Sequence, residues 1–342
     1  MLKLFKSFFI RNNSIPHTPC KRKNSSICLI LVKAFLFGIT TLSLTSCFRA
    51  NQNGEFIQKN ISDANFNLKS VEDLYQFLTY SENRVPLISA HRGGPASNYP
   101  ENAIETFQHI AKKMPVIIEC DINMTKDSIL ILMHDATLER TSTGKGKVNE
   151  HSFEAIKKLK LKDNQGETTS YRIPTLEQAL EWGAGRVIFT LDVKKNVPYN
   201  LVIDAIRNKK AEANSIIITY SAAQAAKVNR LAPDLMISAS IKNEKDLVRL
   251  NDYNIPDTRL VAFIGSSQAD SNLINTLHQH GIMCILGTMG NLDRQAKSKG
   301  EQMYAEYIEN GADILSTDRP IEAGKALNYY TKKRKLSSPY IN

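Results

Sequence analysis

A chain of 342 residues, 42% hydrophobic and 23% charged, has the make-up of a globular protein with a real core, which excludes a disordered chain. The length admits one large catalytic domain behind a leader, or two small domains. The formal charge of +10 suggests a polyanion partner, but seven of those charges are Lys3, Lys6, Arg11, Lys21, Arg22, Lys23 and Lys33, in 46 residues without an acid, so the body needs no nucleic acid to explain it.

In chain order, the basic segment KRKNSS precedes the apolar run ICLILVKAFLFGITTLSLTSC, which closes on small residues before Cys47. This resembles a bacterial lipoprotein signal peptide over residues 1–46, with the lipobox Leu44-Thr45-Ser46-Cys47. The resemblance implies cleavage before Cys47, acylation of its sulfur and new amino group, and attachment to the cell envelope. Several acyl chains anchor stably, since each buried methylene contributes about 0.8 kcal/mol. Phe48 stands where an inner-membrane retention aspartate would, which favours an outer-membrane or periplasm-facing location over a cytoplasmic one. The competing reading is an uncleaved transmembrane anchor.

Residues 47–80 read as a polar tether followed by a helix around VEDLYQFLTY. Nine apolar runs then recur, at 85–90, 116–121, 129–133, 187–193, 215–219, 235–239, 260–264, 282–286 and 313–315, and several are β-branched throughout, as in strands covered on both faces. Amphipathic stretches such as ENAIETFQHIAKK, TLEQALEWG and AAQAAKVNRLA separate most of them, so residues 81–330 read as one parallel α/β domain. Cys120 and Cys284 fall inside apolar runs and are expected as buried thiols without a disulfide. Glycines make residues 141–170 an expected loop excursion, and residues 331–342 an expected basic, solvated tail.

Periodicity alone leaves a doubly wound sheet open. The reactive residues favour a (β/α)8 TIM barrel, because they fall at the ends of different runs, and in a barrel those ends converge on one rim. A closed barrel of this kind has eight strands, so one of the nine runs is expected to be a hairpin arm or an edge element.

His91 and Arg92 directly follow a run in ISAHRGGPASNYPENAIETF, where a guanidinium offers a fork of donors suited to phosphate. In IIECDINMTKD, Glu119 and Asp121 project to one face of a strand and can share a cation; oxygen ligands suit magnesium or calcium. His134 and Asp135 end another run, and in VIFTLDVKK Asp192 and Lys194 again share a face. Asp135 is placed to orient a ring or cap the turn.

The ordered set HRG, PEN, ExD, HD, acid-x-Lys and GADILSTDRP resembles the glycerophosphodiester phosphodiesterases, over roughly residues 87–323. The resemblance implies metal-dependent hydrolysis of glycerophosphodiesters to sn-glycerol 3-phosphate and an alcohol. It makes His91 and His134 the acid–base pair, Glu119, Asp121 and Asp192 the ligands of one Mg2+ or Ca2+, and Arg92 and Lys194 the phosphate partners. Glu101, in PEN, would ligate or orient. Two departures stand out: Asp192 where relatives commonly carry Glu, and Gly287-Thr288 where they often carry a Trp-Thr pair.

The other functions considered are a phospholipase-type phosphodiesterase acting on phosphatidylinositol, lysophospholipid or sphingomyelin, and a catalytically inactive surface-binding lipoprotein. His109, His151, His278 and His280 read as surface or packing residues, Glu105, Asp127 and Glu139 as surface or supporting groups, and Trp182 as packing. Asp318 reads equally as a cleft residue or a cap.

Overall fold

The alternation of buried runs and amphipathic stretches closes on itself. In the computed structural model, which describes residues 65–268 and 270–342, eleven strands form: β1 (Leu87–Ala90), β2 (Ile117–Met124), β3 (Leu130–Leu132), β4 (Lys160–Lys162), β5 (Thr168–Arg172), β6 (Ile188–Val193), β7 (Ser215–Thr219), β8 (Met236–Ser240), β9 (Leu260–Gly265), β10 (Met283–Gly287) and β11 (Ile314–Thr317). The main sheet runs β1-β11-β10-β9-β8-β7-β6-β2, and β1 pairs β2 in parallel to close it into an eight-stranded barrel. The doubly wound alternative is thereby excluded. All nine expected runs are strands, and the extra one is β3, an antiparallel hairpin arm on β2.

Several helices between the strands start where a side chain satisfies free N–H groups of the first turn. Thr175 and Gln178 form a capping box on Leu176–Gly183, and Ser221 and Asn243 cap Ala222–Leu231 and Glu244–Asp252. Their apolar faces and the outward residues of the strands form one continuous core that includes Phe107, Ile118, Leu191, Ile237 and Leu315.

The inward residues form layers, because side chains two apart share a strand face. The lowest layer is apolar: Leu87, Ile117, Ile188, Ile216, Met236, Val261, Met283 and Ile314. Two residues further along each strand stand Ser89, Glu119, Thr190, Ile218, Ser238, Phe263, Ile285 and Ser316, which line a pocket. One step of the pleat thus separates a dry floor from a polar mouth.

Two expectations need correction. The excursion at 141–170 carries structure: β4 and β5 pair antiparallel, and Leu138, Val148, Ile156 and Leu161 pack with Ile131, Met133 and Ala103 into a small core of their own. The basic residues of 331–342, Lys332 to Lys335, are exposed as expected, but the segment is not separate from the domain. The last helix runs Pro320–Arg334, with Lys332, Lys333 and Arg334 favourably placed at its negative end, and it stops at Lys335 in the left-handed conformation. Phe66 then pairs with Ile341, and the Phe77 ring lies 5.8 Å from Phe66 and 5.7 Å from Tyr340, under the barrel floor. The expected leading helix is Val71–Phe77; the tether before residue 65, Cys47 and the leader lie outside the described residues. Among the described residues no helix is long and apolar enough to cross a membrane.

Because Tyr340 and Ile341 cover the floor, deleting residues 340–342 is expected to destabilise the fold by about 1–3 kcal/mol, read as a lower urea midpoint with an unchanged slope.

Candidate active site

Strand β1 ends in a sharp left-handed turn. Arg92, Gly93 and Gly94 have φ values of 52°, 83° and 75°. For Arg92 this region costs about 1 kcal/mol, offset by its N–H, which donates to Glu119 Oε2 at 2.7 Å. Gly93 has no substitute, since a Cβ there would lie 2.3 Å from the Phe107 ring. The turn leaves His91 lining the mouth of the barrel.

Glu119 and Asp121 face inward from β2, and the register opposite pairs Asp121 with Asp192 on β6. One oxygen from each of the three carboxylates lies within 4.8 Å of the others. All three are buried, so their repulsion is poorly screened; burial and the Asp121 charge push the Glu119 carboxyl up to about 8. For Asp121 burial acts in the same upward sense, but Lys194 and Asn102 outweigh it and hold the group below its ordinary value. Lys194 Nζ stands 2.6 Å from Asp121 Oδ1 and 2.7 Å from Asp192 Oδ2. Asn102, at φ 58°, donates through Nδ2 to Asp121 Oδ2 at 2.7 Å and accepts the Asp121 N–H at 2.9 Å. Tyr220, although largely exposed, donates its hydroxyl to Asp192 Oδ1 at 2.9 Å, and partial desolvation there with the Asp192 charge raises the phenol's pKa.

The two imidazoles are held alike. His91 Nδ1 lies 2.7 Å from Asp318 Oδ1, with Nε2 4.0 Å from Glu119 Oε2; His134 Nδ1 lies 2.6 Å from Asp135 Oδ1. A carboxylate on Nδ1 favours the tautomer that leaves Nε2 free to exchange a proton. Burial alone would lower the His91 pKa, but the Asp318 hydrogen bond and the Glu119 charge prevail and raise it. Asp135 is held well below the usual carboxylate range, chiefly by Arg140 and then by His134.

Both rings and the three acids line one pocket of about 200 Å3, walled on the apolar side by Ile218, Phe263 and Met289. Phe263 and Met289 crowd Gly287, where a Cβ would meet the Met289 sulfur at 2.9 Å. These two side chains therefore shape the wall at the departure noted in the sequence, while Thr288 turns away and donates its hydroxyl to the Ser316 carbonyl.

The other expected residues divide by partner. Glu101 lies outside the three-acid cluster and is forked by Arg92 and Arg140. Arg92 and Lys194 are both engaged by site carboxylates, yet Arg92 Nε is buried without a hydrogen-bond partner 3.9 Å from Asp121 Oδ2. An all-oxygen donor set of three crowded carboxylates fits a hard divalent cation. Asp318 is a cleft residue through His91. Sequence reasoning missed Asn102, Arg140 and Tyr220; Asn102 stood in view in PEN, whereas Arg140 and Tyr220 gave no local signal.

Outside the site, Tyr99 packs on His109 and Phe107 on Trp182. Asp313, at the start of β11, is fully buried among Arg84, His278 and the Cys284 N–H, a structural ion pair beneath the barrel wall. Both Cys120 and Cys284 are buried free thiols.

A parallel barrel with its reactive groups on the C-terminal rim is the layout of a (β/α)8 enzyme. The model of the glycerophosphoryl diester phosphodiesterase family matches residues 91–322. A glycerophosphodiester phosphodiesterase of Caldanaerobacter subterraneus is 33% identical over 158 residues, 44% of this chain and 65% of that protein, a little under two thirds of its length. One from Bacillus subtilis is 27% identical over 229 residues, 60% of this chain and 77% of that protein. The crystal structure of a glycerophosphoryl diester phosphodiesterase from Parabacteroides distasonis aligns with a TM-score of 0.72 at 36% identity, covering 78% of this chain and 94% of that one. The chain belongs to the glycerophosphoryl diester phosphodiesterase family, and the fold and enzyme class expected from the motifs are met.

Asn102 completes two buried polar groups of Asp121 at once. Asn102→Ala is expected to cost on the order of 3 kcal/mol, seen as a lower midpoint in urea denaturation.

Proposed function

We propose that this chain hydrolyses glycerophosphodiesters to sn-glycerol 3-phosphate and an alcohol, with one Mg2+ or Ca2+ held by Glu119, Asp121 and Asp192. The observation that carries this reading is that two imidazoles, each with Nδ1 on a carboxylate, share one pocket with those three acids. The cation, when bound, supplies charge to a phosphodiester oxygen as negative charge develops there.

The chain's own groups move the protons. One Nε2 takes the proton of the attacking hydroxyl and the other gives a proton to the leaving alkoxide. Where the neighbouring glycerol hydroxyl attacks first, a cyclic phosphate forms, and water opens it with the two rings exchanging roles. Arg92 and Lys194, each paired with site carboxylates, stand beside the cluster as the phosphate's cationic partners. The pocket's small volume suits a glycerol phosphate. Its wall of Ile218, Phe263 and Met289 favours, as a second reading, a lysophospholipid whose acyl chain, retained on the glycerol, lies along that side.

The test is release of sn-glycerol 3-phosphate by the purified full-length chain from glycerophosphocholine and glycerophosphoethanolamine, with magnesium, calcium and chelator arms, and release of choline from lysophosphatidylcholine in a further arm. Release is expected only with metal, and His91→Ala and His134→Ala should each lower kcat by about 100- to 10,000-fold. A folded chain that releases nothing from either small diester refutes the small-diester reading; release from the lysophospholipid alone installs the second.

We further propose that this activity is held in the bacterial envelope through acylated Cys47. Cells expressing the chain should incorporate labelled fatty acid into it, and Cys47→Ala should abolish the label; a labelled Cys47→Ala chain would refute the anchor.

A further inference from the structure

Arg140 lies in the excursion after β3, outside every motif that names the site, yet its guanidinium joins two of the site's supports. Along one edge Nε donates to Asp135 Oδ2 at 2.6 Å and Nη2 to Asp135 Oδ1 at 2.9 Å. Along the other, Nη1 donates to Glu101 Oε2 at 2.8 Å and Nη2 to Glu101 Oε1 at 2.9 Å. Asp135 Oδ1 also holds His134 Nδ1 at 2.6 Å, and Glu101 also accepts from Arg92 Nη1 at 3.0 Å. The backbone N–H of Arg92 in turn donates to Glu119.

We infer that Arg140 is a positioning residue for the proposed reaction: it fixes the Asp135 carboxylate that orients His134 and, through Glu101, the Arg92 turn that carries His91. One planar fork with donors on two edges can hold two carboxylates at a set angle, which a lysine ammonium cannot do. The chain of alternating charge, His134 to Asp135 to Arg140 to Glu101 to Arg92 to Glu119, runs from one imidazole to the acid beside the other. It also spans two elements that do not otherwise share a strand ladder, the turn after β1 and the excursion after β3. The excursion's own small core, which includes Leu138, keeps Arg140 from wandering.

This inference rests on the proposed reaction, and the experiment separates the two. Wild type, Arg140→Ala, Arg140→Lys, Asp135→Asn and the Asp135→Asn/Arg140→Ala double variant of the full-length chain are assayed with metal on glycerophosphocholine and on bis(p-nitrophenyl) phosphate. In parallel, ring nitrogen NMR reads the tautomer of His134, assigned by loss of its signal in His134→Ala. Arg140→Ala should lose about 100-fold in kcat with KM little changed, as misplacement of a reacting group by an ångström does. Low concentrations of guanidinium should restore part of that loss, since the Arg140 side chain is half exposed. Arg140→Lys should fold yet remain impaired, the double variant should lose less than the product of the two single losses, and the Nδ1–H tautomer of His134 should lose population in Arg140→Ala. Wild-type kcat in a folded Arg140→Lys with an unchanged tautomer overturns the inference, and so do multiplicative losses in the double variant. Should wild type cleave only bis(p-nitrophenyl) phosphate, the proposed substrate fails while the Arg140 comparison proceeds on that diester. Should it cleave neither, the reaction fails, and the tautomer decides the positioning role by itself.

Discussion

Three carboxylates are drawn into a space too small for three free anions, and the surroundings of the barrel mouth answer that constraint. Two like charges about 4 Å apart repel by about 4 kcal/mol at an effective dielectric near 20, before any cost of burial. The β2–β6 register creates the problem by setting Asp121 beside Asp192. Lys194 relieves it from the same strand end as Asp192, Asn102 by one hydrogen bond to the Asp121 carboxylate, and Tyr220 by one to Asp192. What remains is a cluster with an appetite for positive charge, as a cation-dependent centre requires.

The barrel sustains this cluster because its polar and apolar layers are separated by a single step along each strand. Ile117 lies in a dry floor sealed by Phe66, Phe77 and the returning C-terminus, while Glu119, two residues on, reaches the mouth. A charged side chain one layer lower would be buried without water or partner, at a cost of several kcal/mol. The floor is thus part of the site's design: its dryness confines polarity to the rim, where two imidazoles can face the acids.

Rigidity at the rim comes from outside the barrel strands. The β3 arm and the excursion bring His134, Asp135 and Arg140 to the mouth, and Ile131, Met133, Leu138 and Leu161 give that segment a buried core of its own. Asp163 receives the Asn98 N–H at 2.7 Å, tying the excursion back to the loop after His91. A long connection is usually mobile; this one has a buried apolar cluster of its own beside His134 and Asp135.

The sequence by itself determined the strand runs, the parallel α/β class and the acids and histidines at strand ends, because a period of two and the end of an apolar run are local properties. Glu119 and Asp121 were legible as a pair for that reason, as was His91 before its Gly-Gly turn. Only the tertiary structure decided which of nine runs was the hairpin arm, since β3 is as apolar as a barrel strand and differs solely in its partner. It alone brought Asp192 opposite Asp121, put Phe263 and Met289 over Gly287, and tied Tyr340 and Ile341 beneath the floor. Arg140 and Tyr220 look like ordinary surface residues in the sequence. Their roles come from contacts across 39 and 28 residues, which depend on barrel closure and strand register rather than on any pattern within a window of the chain.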